Sequence, residues 1–369
     1  MINPYYKKLA KLIINYSIEI QRGEKVWIVG PILAQELFQA LCIETLKVGG
    51  HPYLTAALEG INEVLFKYAN DNQLLHVNKF EKSMREEFDA FIWIDADYNK
   101  KKLSPIDPRT LIKYYNSPGR KELSKIMDER SSKGELRYVG CPFPCNALAQ
   151  EASMDLFSYT EFFNKSLFLD KEDPILEWQR IEKEQNRLIE YLNQVEYIQV
   201  KGEDTDLSLS VKERKWIKYC GKLNLPDGEL CTGPVEDSVN GYIRFTFPGI
   251  YMWKDIKNIY LEFKDGVVIN ASADKGEELI HEILKIENAN RLGEFAIGTN
   301  EGITKFTKNI LFDEKMGGTI HCALGKGYKT TGSKNESSIH WDILKDMKIP
   351  GSQIIADGII IYENGKWRI

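Results

Sequence analysis

Cysteine is scarce in this chain. Six residues in 369 are too few for a disulfide framework, and none falls in the C-x-x-C spacing of a zinc ribbon or dithiol redox motif. No stretch approaches the roughly 18 apolar residues of a membrane span. The opening segment, MINPYYKKLAKLIINYSIEIQRGEKV, lacks the apolar core and small-residue cleavage site of a signal peptide. The expectation is a soluble protein of the reducing cytoplasm. Basic residues are also short, with 49 Lys and Arg against 54 Asp and Glu and a net charge of -5. That balance argues against nucleic acid or a membrane surface as partner. Neither G-x-x-x-x-G-K-[ST], nor G-x-G-x-x-G after a strand, nor G-x-S-x-G occurs, so no nucleotide cradle or serine-hydrolase elbow is assigned.

What is present describes an ordinary folded chain, 43% hydrophobic, 28% charged and 11% aromatic. Its length exceeds the roughly 250–300 residues that one core organises, which predicts two domains. Over residues 1–194, helical periodicity alternates with short β-rich runs (KVWIVG, HPYLTAAL, FDAFIWIDA, LRYVGCPFP), including a long helical region from Ile61 to Phe88. This predicts an α/β domain with a doubly wound, mainly parallel sheet. A charged amphipathic helix, DPILEWQRIEKEQNRLIEYLNQ, ends it as a bridge. Over 195–369 the texture becomes alternating strands, predicting an α+β, β-rich domain. Asp265-Gly266 and Asn364-Gly365 read as hairpin turns. The basic cluster at Lys100 to Lys102 reads as a solvated loop, and Cys141 and Cys145 as buried structural residues.

The chemistry concentrates in the second half. In SIHWDIL, His340 and Asp342 share a face if the segment is extended; the alternative has Asp342 capping a helix. His321 sits in a β-like run, GTIHCALGKGY, with Tyr328 seven positions later and Cys322 on the opposite face by alternation. Two histidines and an aspartate suit a divalent transition metal, and taken alone they also admit a mononuclear non-haem iron enzyme. Glu229 follows a Pro-Asp-Gly turn, and Glu294 enters an apolar strand, where a carboxylate needs a cation or a hydrogen-bond partner.

Read in order, NLPDGE, PVEDSVNG, RLGEFAIG, LFDEK, IHCALGKGY and NESSIHWD resemble the metal-site segments of the M29 family of metallo-aminopeptidases, the aminopeptidase T and S group. The resemblance implies a metal-dependent aminopeptidase acting on peptides with a free N-terminus, and a homodimer. It implies two divalent ions (zinc, cobalt, manganese or magnesium) held by Glu229, Glu294, His321, His340 and Asp342. It also implies a catalytic Tyr328, either hydrogen-bonding to the oxyanion, the favoured role, or lying against a metal through its oxygen, and Glu229, Glu294 or Glu314 as general base. The segment between Tyr328 and His340 is shorter than that family's glycine- and serine-rich loop. The alternative is therefore a catalytically inactive homologue that binds metal and peptide.

Overall fold

The computed structural model describes residues 2–251 and 254–369. The chain separates into two compact units, Met1–Ile175 with Gly221–Leu225, and Leu176–Cys220 with Pro226–Ile369. The first is built on a four-stranded parallel sheet in the order His51–Ala57, Lys25–Pro31, Ala90–Asp95, Arg137–Pro142. Runs such as Val26, Ile28, Ile92, Ile94 and Val139 are fully or almost fully buried, as strands covered on both faces require. Helices Pro4–Leu12 and Gln35–Lys47 bury Leu9, Leu12, Leu37 and Leu41. The helical region from Ile61 onward is three short helices, because Asn70 and Asn78 each restart the chain as a helix cap: Asn70 forms a capping box with Gln73, and Asn78 accepts from the Phe80 amide.

One expectation is corrected in this unit. Lys100 and Lys102 are not on a solvated loop; their side chains are about 80% buried in an ion-pair network. Lys100 lies 3.0 Å from Asp95 and 3.4 Å from Asp97, and Lys102 also pairs with Asp97. Two carboxylates, one at the end of the Ala90–Asp95 strand and one just past it, recruit them. Cys141 and Cys145 are buried.

The second unit begins along the helix Pro174–Leu192 and contains three antiparallel sheets, of eight, five and two strands. The eight-stranded sheet closes several of its pairs with tight turns. Asp265-Gly266 and Asn364-Gly365 have positive φ at both residues, as does Asp357-Gly358, the two-residue conformation that fits strand twist. The five-stranded sheet runs His340–Asp346, Thr319–Gly325, Leu292–Gly298, Glu229–Thr232, Ile217–Tyr219. One of its faces joins the hydrophobic core through Leu230, Phe295, Ile297, Ile320, Cys322 and Ile343, alongside Val200, Leu207 and Ile354 of the larger sheet. The opposite face is the polar one. The segment from His340 is a strand, which overturns the reading of Asp342 as a helix cap.

Candidate metal centre

Register decides which side chains meet. Across the sheet Glu229 stands opposite Gly298, Ala296 opposite His321, Glu294 opposite Ala323, and Ala323 opposite Asp342. Residues directly opposite share a face, so Glu229, Glu294, His321, His340 and Asp342 all project from the non-core side. Glu294 reaches that side through a bulge. Pairing slips between Leu292 and Glu294, leaving Gly293 as the extra residue. A Cβ on Gly293 would come within 2.3 Å of the Gly325 carbonyl oxygen, so only glycine fits there. Glu229 is pinned by the turn before it. Asn300 donates to the Asp227 carbonyl at 2.8 Å, and the Thr299 amide donates to that of Gly228, also at 2.8 Å.

Two groups of three side chains form, each with ligand atoms within 4.8 Å of one another: Glu229, Glu314 and His321, and Glu294, His340 and Asp342. His340 Nε2 lies 3.0 Å from Glu294 and 3.3 Å from Asp342 Oδ1, and the same Asp342 oxygen lies 3.9 Å from His321 Nε2. His321 Nε2 is 3.4 Å from Glu229 Oε2. Asp342 therefore stands between the two groups. The Tyr328 hydroxyl is 3.5 Å from His340 Nε2. Cys322 points into the core.

The electrostatics are those of carboxylates taken out of water. Burial pushes Glu229 up to about 8, Lys315 opposing and Glu294 reinforcing, and burial pushes Glu314 up to about 8 as well. Burial works against a charged His340, yet Asp342 and Glu294 prevail and raise it to about 11. Asp342 falls to about 2 because the His340 charge outweighs its burial. The Tyr328 phenol is held well above its usual range by burial and then by Glu294 and Asp342. Glu229 Oε2, His321 Nδ1 and Asp342 Oδ1 are buried without a hydrogen-bond partner. Orphaned polar atoms are costly in an interior and are rare unless a bound species satisfies them. Three of them, on two carboxylates and an imidazole, suit a divalent cation.

Several side chains here escape sequence reading. Lys315 is buried with its ammonium 2.6 Å from Glu229 and 2.6 Å from Glu314. Gln185 donates to the Glu229 carbonyl at 3.3 Å and to the Tyr219 carbonyl at 2.9 Å. Cys231 shares the Glu229 face, and burial together with Glu294 keeps its thiol protonated. The capital signal for Lys315 is its place after Glu314 in LFDEK, but nothing in the sequence says it turns inward.

Comparison with known proteins agrees with this architecture. A solved structure described as wild-type AmpT from Thermus thermophilus superposes with a TM-score of 0.86 over 99% of each chain, at 20% identity, which establishes the shared fold. Aminopeptidase 2 of Geobacillus stearothermophilus is 26% identical over 411 aligned residues, covering 98% of this chain and 97% of that protein. Aminopeptidase PepS of Streptococcus thermophilus is 24% identical over 420, covering all of both. The family model described as thermophilic metalloprotease (M29) matches residues 3–367, and the chain belongs to that family.

Proposed function

We propose that the protein is a metal-dependent aminopeptidase removing N-terminal residues from peptides. Glu229, Glu314 and His321 would hold one divalent ion, and Glu294, His340 and Asp342 a second. The observation that carries the reading is the meeting of these two groups around three orphaned buried atoms, in a chain of a metalloprotease family. Glu314 thus joins the five ligands implied by resemblance. Imidazole mixed with carboxylate favours zinc, cobalt or manganese over magnesium. Two such ions would supply Lewis acidity toward a peptide carbonyl and would lower the pKa of the attacking water.

The chain's own residues do the rest. Tyr328 is a neutral phenol beside His340, suited to donate a hydrogen bond to the oxyanion as it develops. Glu294 is the base that takes the proton from the attacking water. A free terminal amine would be a nitrogen ligand that an ion can accept and an N-acetylated nitrogen would not, which favours unblocked peptides. The same reading includes a cytoplasmic homodimer. Its support is the resemblance to the family. Sedimentation velocity tests the oligomer.

The test of the activity is amino-acid release from unblocked and N-acetylated short peptides by metal-stripped protein with zinc, cobalt, manganese or magnesium restored. Metal-dependent turnover of the unblocked set alone, lost in Glu294→Ala, is expected. Stoichiometric metal binding with no turnover identifies an inactive homologue.

A further inference from the structure

We infer that Lys315 is a positioning residue that makes the two half-sites unequal. The Glu294, His340 and Asp342 half takes the first divalent ion, and the Glu229, Glu314 and His321 half is the weaker, exchangeable one. This rests on the two-ion reading above.

Lys315 is 2% exposed and so cannot touch a substrate. Its ammonium sits 2.6 Å from Glu229 Oε1, 2.6 Å from Glu314 Oε1 and 4.0 Å from Asp227, over the ring of Tyr219. Each ligand carboxylate is gripped by one oxygen only. The other oxygen of Glu229 faces His321 at 3.4 Å and has no hydrogen-bond partner. Lys315 therefore leaves Glu229 a single free oxygen for an ion, does the same to Glu314, and puts a positive charge directly behind both. The other half has no permanent counter-charge: its facing cation is the His340 imidazolium, which gives up its Nε2 proton when an ion binds, whereas the Lys315 ammonium stays. Among the described residues, the ion-pair contacts of Glu294 and Asp342 are to His340 and His321 alone.

Two physical consequences separate the halves. One-oxygen carboxylates surrender the option of gripping an ion with both oxygens. A fixed unit charge about 5 Å from a divalent ion weakens its binding by more than about tenfold even at an effective dielectric constant of about 20. The charge count makes the arrangement sensible: Glu229, Glu294, Glu314, Asp342 and Asp227 together match two divalent ions plus Lys315. A buried centre that balances overall can tolerate one cation of its own, at the expense of the ion beside it.

The experiment is titration of the metal-free full-length protein with Co(II), reading calorimetric heat and the visible absorption of the bound ion. Wild type is expected to bind two ions in steps at least about tenfold apart. Glu294→Gln should weaken the tight step and Glu314→Gln the weak one. Lys315→Met should tighten the weak step by about tenfold or more and close the gap, whereas Lys315→Arg keeps the steps apart. Equal steps in wild type, or a Lys315→Met variant that changes both steps alike, would overturn the inference. If Lys315→Met fails to fold, wild type and the two glutamate variants still decide it, because reversal of their order is equally fatal. Two ions bound in the reverse order defeat this inference alone; a wild-type protein that binds no Co(II) defeats the two-ion reading and this one with it.

Discussion

The imidazole of His340 is held at both ends, its Nδ1 2.6 Å from the carbonyl oxygen of Lys326 and its Nε2 3.0 Å from Glu294. A carbonyl can only accept, so Nδ1 carries a hydrogen and Nε2 is the atom presented to the carboxylates. In the metal-free protein the ring is protonated up to about pH 11, burial opposing and Asp342 prevailing. An incoming ion must expel that Nε2 proton. Metal loading near neutral pH should therefore release protons, measured as calorimetric heats that differ between buffers of different ionisation enthalpy. His340→Ala should reduce the release. For the metal-free fold the sign is that of a raised base: the stabilisation is full below the usual histidine value and disappears as pH rises through about 11.

Tyr328→Phe removes only the hydroxyl that faces His340. If the phenol donates to the oxyanion, kcat should fall by about 10²–10³-fold with KM little changed. Steady-state kinetics on an unblocked dipeptide decides this, and an unchanged kcat would rule the role out.

The segment that carries Tyr328 is tied down rather than loose. The Asn335 side-chain amide donates to the Gly325 carbonyl at 2.6 Å and to that of Asn288 at 2.9 Å, and the Gly327 amide donates to the Asn335 carbonyl at 2.9 Å. Gly325 to Tyr328 includes both the carbonyl that orients His340 and the phenol itself. Asn335→Ala leaves buried acceptors unpaired and should cost about 1–3 kcal/mol in urea denaturation. It should also lower kcat, because Tyr328 and His340 lose their common anchor.

Glu236 ties the same loop from another side. One carboxylate oxygen lies 2.6 Å from Arg214, and the other accepts from the Lys334 amide at 2.6 Å. Burial works against ionisation, but these hydrogen bonds and the Arg214 charge hold the carboxyl below its usual range. A depressed carboxyl contributes stability above its unfolded value of about 4.3 and loses it as pH falls through the lower folded value. Glu236→Gln should flatten the acid limb of melting temperature against pH between about pH 5 and 3. An unchanged limb would show that the pair contributes nothing.

Removing metal should unfold the protein more readily. A ligand bound only by the folded state stabilises it by about 2.7 kcal/mol at a hundredfold excess over its Kd. A chelator should lower the melting temperature of loaded protein, and Glu294→Ala should shrink that difference.

The legible parts of this protein are those that follow from local chemistry. Val26 and Ile28 lie in a short apolar run between helices and do form a parallel strand; Asp265-Gly266 does turn a hairpin. His340 and Asp342 share a face because the strand period is two. Lys315, Gln185 and Cys231 are not legible, because the contacts that show where they sit, such as Lys315 on Glu229, cross long sequence separations. Gln185 reaches Thr299 from another element altogether, at 3.0 Å. The charge of Lys100 alone points to solvent, whereas the carboxylates of Asp95 and Asp97 determine where it goes.

The bulge at Gly293 acts as a reading frame for the whole sheet. Beyond it Glu294, Ala296 and Gly298 face one way, and Phe295 and Ile297 the other. Were Gly293 paired in regular register instead, Leu292 and Glu294 would fall on one face, and either a leucine would turn to the polar side or the glutamate into the core. A slip of one residue in pairing, with no change of composition, is thus enough to mix the two faces of the sheet, and the extra glycine is what keeps them apart.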